Sequence, residues 1–155
     1  MHSLNVTFIL KKSFVVLIAL AMLDTAIAEI TMPTQRQAGD VIYMTGGIAE
    51  EAEMMRSVAK EYALEIALIQ KLNEQEEFLA DVKIKVLDAK ENVVLETTTD
   101  GPYLYANLPE GHYLVIAKFN EEVKQQKVLI SAKKHQKVVL WWPITEPPQP
   151  EDTLE

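Results

Sequence analysis

The side chains that could do chemistry in this sequence are few and scattered. Beyond the first thirty residues there are two histidines, His112 and His135, without the H-x-x-x-H spacing that turns two imidazoles toward one metal. The chain has no cysteine, which removes thiolate ligands, thiol nucleophiles and disulfides together. Asp81, Asp88, Glu96 and Asp100 are the central carboxylates, and none sits in the D-x-D-x-D-G loop of a calcium site. No nucleophile lies beside a base. The expectation is therefore no metal, no cofactor and no enzymatic activity. The alternative is a small periplasmic hydrolase whose acid–base carboxylates meet only in space.

What remains suits contact rather than conversion. In Trp141-Trp142, neighbouring strand side chains must face opposite ways. One indole is expected in the core, and the other is either covered by a helix or presented as a platform for a glycan or protein. Tyr103, Tyr105 and Tyr113 flank two turns and are expected to share that contact. Lys133, Lys134 and Lys137 crowd one turn, as a solvated hairpin tip or a contact for an anionic partner. Gly46-Gly47 could offer backbone N–H groups to an anion, but Glu50, Glu51 and Glu53 beside them disfavour one. The net charge of −8 would repel a polyanion at long range, which argues against nucleic acid as a partner.

The elements that must position these residues follow from pattern. Lys11 and Lys12 precede the apolar run "SFVVLIALAML", and Ala26-Ile27-Ala28 supplies the small residues of a signal-peptidase site. The apolar core of that run is short of the roughly 20 residues a spanning helix needs, so residues 1–28 read as a signal cleaved after Ala28. Cleavage would move the net charge to −9, through loss of Lys11, Lys12 and Asp24, and leave a chain with no membrane span. An exported domain without disulfides suits a bacterial periplasm. Residues 29–40 read as a flexible lead-in. A helix plus a strand fills 41–77: Thr45 or Gly46 as cap, Ile48, Ala52, Met55, Ala59 and Tyr62 on one face, then either helix continuation or the strand "LEIALIQ", the preferred reading for 64–70. Residues 143–155, with four prolines and four acids, read as a disordered tail.

Between them, 78–142 reads as β throughout. Val82, Ile84 and Val86 alternate with Lys83 and Lys85, as a half-buried strand requires. Turn signals then recur every eight to twelve residues: "DAKEN", Asp100-Gly101-Pro102, Leu108-Pro109-Glu110-Gly111, Asn120-Glu121-Glu122 and "SAKKHQ". Gly101 and Gly111 supply conformations closed to other residues, Pro109 presets a turn dihedral, and Asp100 caps its own turn. The fold class expected is mainly β, an antiparallel β-sandwich of about seven strands with one N-terminal α-helix packed on it.

The run "DVKIKVLDAKENVVLETTTDGPYLYANLPEGHYLVIAKF" resembles the carboxypeptidase regulatory-like domain, a transthyretin-like β-sandwich, in its T-x-D-G-x-Y and L-P-x-G-x-Y-x-V elements. Together with "YMTGGIAEEAEMMRSVAKEY" it is similar to uncharacterised exported proteobacterial proteins carrying that domain. The resemblance implies fold and periplasm and brings no activity. Transthyretin-like hydrolases of purine breakdown use histidines and arginines and end in Tyr-Arg-Gly-Ser, a motif absent here. The function expected is a non-enzymatic binding or accessory module of the cell envelope, recognising a protein or polysaccharide through Tyr103, Tyr105, Tyr113 and one of Trp141 and Trp142. A structural subunit of an envelope complex is a further alternative, and would show an exposed apolar helix face or open strand edge.

Overall fold

A computed structural model describes residues 32–144 apart from Lys133. The proposed signal and most of the acidic tail lie outside the described residues. Among the described residues the domain is mainly β, ten strands in two sheets with a single short α-helix, consistent with a β-sandwich. The first sheet contains β1 (Arg36–Ala38), β2 (Val41–Gly46), β7 (Tyr103–Asn107), β3 (Leu64–Leu72) and β10 (Gln136–Pro143) side by side, with β4 (Gln75–Phe78) also paired to β3. The second runs β6 (Val93–Thr98), β5 (Lys83–Leu87), β8 (Gly111–Phe119), β9 (Glu122–Ile130).

All the alternating aliphatics of the pattern point where alternation puts them. Val82, Ile84 and Val86 meet Leu64, Ile66, Leu68, Leu104 and Val115 in the core between the sheets. The stretch 64–70 is strand, as preferred, but it is buried on both faces from Leu64 to Ile69. Its second face lies under α1 (Glu51–Val58) and a following 3-10 turn, where Met55, Ala59 and Tyr62 pack on Met44, Ala67, Tyr103 and Tyr105. That lid is why a strand with few polar residues can sit in an outer sheet.

Three expectations fail in detail. Part of the lead-in is ordered: β1 pairs antiparallel with β2, and Arg36 forms an ion pair with Asp100. The helix begins later than its cap signals suggest, after Glu50. Thr45 instead lies in β2, one residue before its end, where its hydroxyl accepts the Asp100 N–H at 2.7 Å and donates to the Asp100 carboxylate at 2.9 Å. Ile48 lies before the helix and is exposed. The sandwich is also not wholly antiparallel, because β10 runs parallel to β3 from Gln136↔Leu64 to Pro143↔Lys71. The "DAKEN" turn forms as expected. The Asp88 carboxylate accepts the Lys90 and Asn92 N–H groups, and the Asn92 side chain beside it holds that carboxyl below its usual range.

Gly101 owes its place to close approach rather than to an unusual dihedral. A Cβ there would stand 2.4 Å from the Gly46 carbonyl oxygen, in the backbone of β2. Gly47, at φ +95°, lies beneath the Tyr103 ring, where a Cβ would be only 2.3 Å from the ring edge.

Under α1 the Tyr105 hydroxyl is fully buried and finds no hydrogen-bond partner among the described residues. Burial, with the Glu65 charge adding, pushes its ionisation far up. An unpaired buried hydroxyl costs about 1–3 kcal/mol, so Tyr105→Phe should raise stability by about 1 kcal/mol in urea unfolding. A loss of stability instead would mean that a buried water or a shifted side chain satisfies the hydroxyl.

Candidate functional site

The outer face of the first sheet is half covered. Cα partners in register share a face, so Phe78, Ile69 and Trp141 form one rung across β4, β3 and β10, and Val139 stands beside Ala67 on an adjacent rung. Ala67 lies beneath α1. Beyond the helix, Phe78 is 63%, Trp141 52% and Val139 49% exposed, whereas Ile69 between the two rings is buried. Strands are about 4.8 Å apart, so the Phe78 and Trp141 backbones are about 10 Å apart. Phe78 leans on Tyr103, ring centroids 5.9 Å apart. The Lys124 ammonium sits 5.5 Å from the Trp141 ring centroid, a cation–π distance.

Of the expected contact residues, only Trp141 lies on this surface. Trp142 is in the core, edge-on to Phe119 at 6.0 Å, with its indole N–H toward the Glu122 carbonyl at 3.4 Å. The alternation of the pair is therefore as expected, but no helix covers the outward indole. The tyrosines are corrected: all three are buried. Tyr103 and Tyr105 form the seat of α1, and Tyr113 points inward with its hydroxyl donating to the Pro109 carbonyl at 2.9 Å. Their alternation in "YLYANL" could not show this, because both faces of β7 are covered and neither is solvent.

The Gly46-Gly47 turn is closed to an anion from within, since the Gly47 N–H donates to the Glu51 carboxylate at 3.2 Å. Arg56 on α1 is held above its usual range, first by the nearby Tyr103 hydroxyl and then by Glu53, whose carboxylate is 3.3 Å away. The solvent side of α1 carries Glu53, Arg56 and Ser57, so the helix offers no apolar docking face. His112 is exposed on β8, as expected of a surface histidine.

His135 is not the surface residue its lysine-rich setting suggests. Its Nδ1 lies 2.9 Å from the Tyr62 carbonyl and its Nε2 2.9 Å from Glu65 Oε2, while Lys137 Nζ lies 2.7 Å from Glu65 Oε1. Both ring nitrogens thus have oxygen partners, one on the backbone and one on Glu65. Glu65 is the one buried carboxylate among the described residues. Reading the sequence missed this group because Glu65 lies seventy residues upstream and is brought alongside Lys137 only by the parallel β3–β10 register. Both carboxylate oxygens and both ring nitrogens are engaged within the protein. The trio clamps β10 to β3. Among the described residues, no three His, Asp or Glu side chains converge to hold a metal.

No protein-family model matches the chain, and no curated protein matches it either.

Removing Lys137 leaves a buried carboxylate oxygen without its charged donor. Lys137→Met, which keeps the aliphatic stem, should cost about 2 kcal/mol in urea unfolding, and Glu65→Gln combined with it should cost less than the sum of the two. A Lys137→Met variant as stable as the parent would show that water serves Glu65 equally well.

Proposed function

We propose that the protein is a non-enzymatic binding or accessory module of the cell envelope, exported to the periplasm, that recognises a protein or polysaccharide partner through the uncovered half of its first sheet. The observation that carries this reading is the rung Phe78–Ile69–Trp141: two exposed aromatic rings held in register across β3, with Val139 adjacent and a lysine over the indole. Aromatic side chains at such positions dominate the energetics of recognition, since each buries a large area with few torsions to freeze. Their fixed spacing suits an extended partner that crosses the strands. The resemblance of residues 81–119 to the carboxypeptidase regulatory-like domain supports an accessory role, and the signal read in residues 1–28 supports the compartment.

The Glu65–His135–Lys137 group has a structural role that needs no substrate, since its contacts tie β10 to β3.

The test is capture from envelope extract and from an insoluble envelope polysaccharide fraction, with Trp141→Ala and Phe78→Ala run in parallel. A partner retained by the parent should be lost or weakened at least tenfold by each substitution, and binding should shift the fluorescence of the exposed indole. Capture unchanged in both variants would remove the aromatic rung from recognition.

A further inference from the structure

The second sheet has an outer face with a different character, and nothing in the described chain covers it. Read in register, one rung is Thr98–Lys83–Lys118–Val123 and the next is Glu96–Lys85–Ile116–Gln125, followed by Leu87, Leu114 and Lys127. Lys83 and Lys118 are direct cross-strand partners, and Lys85 lies on the same face one rung along. Like charges directly opposite destabilise a strand pair. A neutralising neighbour is close for two of the three: Glu96 lies 3.3 Å from Lys85 and Glu121 3.3 Å from Lys118. Both acids are well exposed, so these pairs contribute little and are readily exchanged. Lys83 and Lys127 have no acid within ion-pair distance among the described residues.

Between the lysines the face is aliphatic. Val123 and Leu129 are each about half exposed, at 51% and 52%, and Leu87, Leu114 and Ile116 are half-buried. Two open grooves of about 560 Å³ each lie on the face. One has Lys83, Lys85, Lys118 and Glu96 around Ile116 and Val123; the other has Lys127, His112, Asp88 and Glu91 around Leu87, Leu114 and Leu129, so the first is the cationic one. Across the sandwich, the first sheet's side carries Glu50, Glu51, Glu53 and Glu61 on and beside α1, and Glu74, Glu76 and Glu77 at the β3–β4 hairpin. The outward strand positions of the second sheet thus carry Lys83, Lys85, Lys118 and Lys127 against Glu96, in a chain of net charge −8.

We infer that the outer face of the second sheet is a contact surface for an anionic lipid leaflet. A soluble polyanion would take the lysines but leave Val123, Leu129 and Ile116 in water. An anionic leaflet takes both, receiving the aliphatic side chains at the headgroup boundary while the lysine stems lie along the sheet and their ammonium groups reach the phosphates. Long-range repulsion of the glutamate side by the same leaflet orients the molecule with this face inward. The contact is peripheral and salt-sensitive, because it rests on screened surface charge and a modest apolar area.

The test is co-sedimentation of the full chain with vesicles of phosphatidylcholine alone and of phosphatidylcholine mixed with phosphatidylglycerol. Binding is expected to the mixed vesicles only, to fall with salt, and to weaken about tenfold or more in Lys83→Gln/Lys118→Gln, each lysine near an anionic surface supplying about a factor of five. Leu129→Ser should weaken it further, and Trp141→Ala should leave it unchanged, which separates this surface from the aromatic rung. Equal binding to both vesicle types, or binding untouched by the lysine substitutions, would overturn the inference and assign the contact to the apolar run Phe14–Leu23. A folded chain that sediments with neither vesicle overturns it as well. Binding to polyglutamate or dextran sulfate that ignores Leu129→Ser would put a soluble polyanion in place of the leaflet.

Discussion

Strand β3 is buried on both faces from Leu64 to Ile69, and most of the domain can be understood as the means of covering it. One face needs a second sheet, and β5, β6, β8 and β9 supply it with Val82, Ile84, Val86, Leu95 and Val115. The other face needs a lid, and the short helix supplies it with Met55 and the turn residues Ala59 and Tyr62. A parallel neighbour needs a crossover of at least a dozen residues. Here the crossover from β3 to β10 is the whole of β4 to β9, and β10 docks beside β3 across it. Glu65 marks that docking chemically, because its carboxylate is satisfied only when His135 and Lys137 arrive with β10.

The fold was largely legible because most strands are bounded by turns whose chemistry is local. Asp88 holds its loop by accepting two backbone N–H groups within four residues, and such a signal does not depend on anything distant. Val82, Ile84 and Val86 could be placed inside because Lys83 and Lys85 between them can only face water. Where an interaction spans the chain, reading failed. Thr45 has the type and position of a helix cap, yet its hydroxyl is claimed by Asp100, fifty-five residues away. β4 was missed because "QEEF" has no apolar alternation and is a strand only by pairing with β3.

The candidate site divides along the same line. That one of Trp141 and Trp142 must point outward follows from strand geometry alone. Which one depends on the register of β10 against β3, and that register puts Trp142 against Phe119 in the core. The tyrosines were misplaced for a related reason. Alternation distinguishes two faces of a strand but cannot say that both are covered, and β7 lies between a sheet and a helix. Phe78 carried no signal at all, since its value as a neighbour of Trp141 exists only across β3.

A sandwich with one short lid leaves two outer surfaces that differ in kind, and the difference follows from what each sheet had to bury. The first sheet spent its apolar residues on two interfaces, so what remains uncovered is the aromatic end of β3's neighbours, beyond the reach of an eight-residue helix. The second sheet buries one face only, and its outward positions mix Lys83, Lys85, Lys118 and Lys127 with aliphatics and the polar Thr98, Glu96 and Gln125. Directly opposed Lys83 and Lys118 work against that sheet's own stability. A pairing that costs stability where many polar residues would serve is the kind of local conflict that points to a contact made outside the chain.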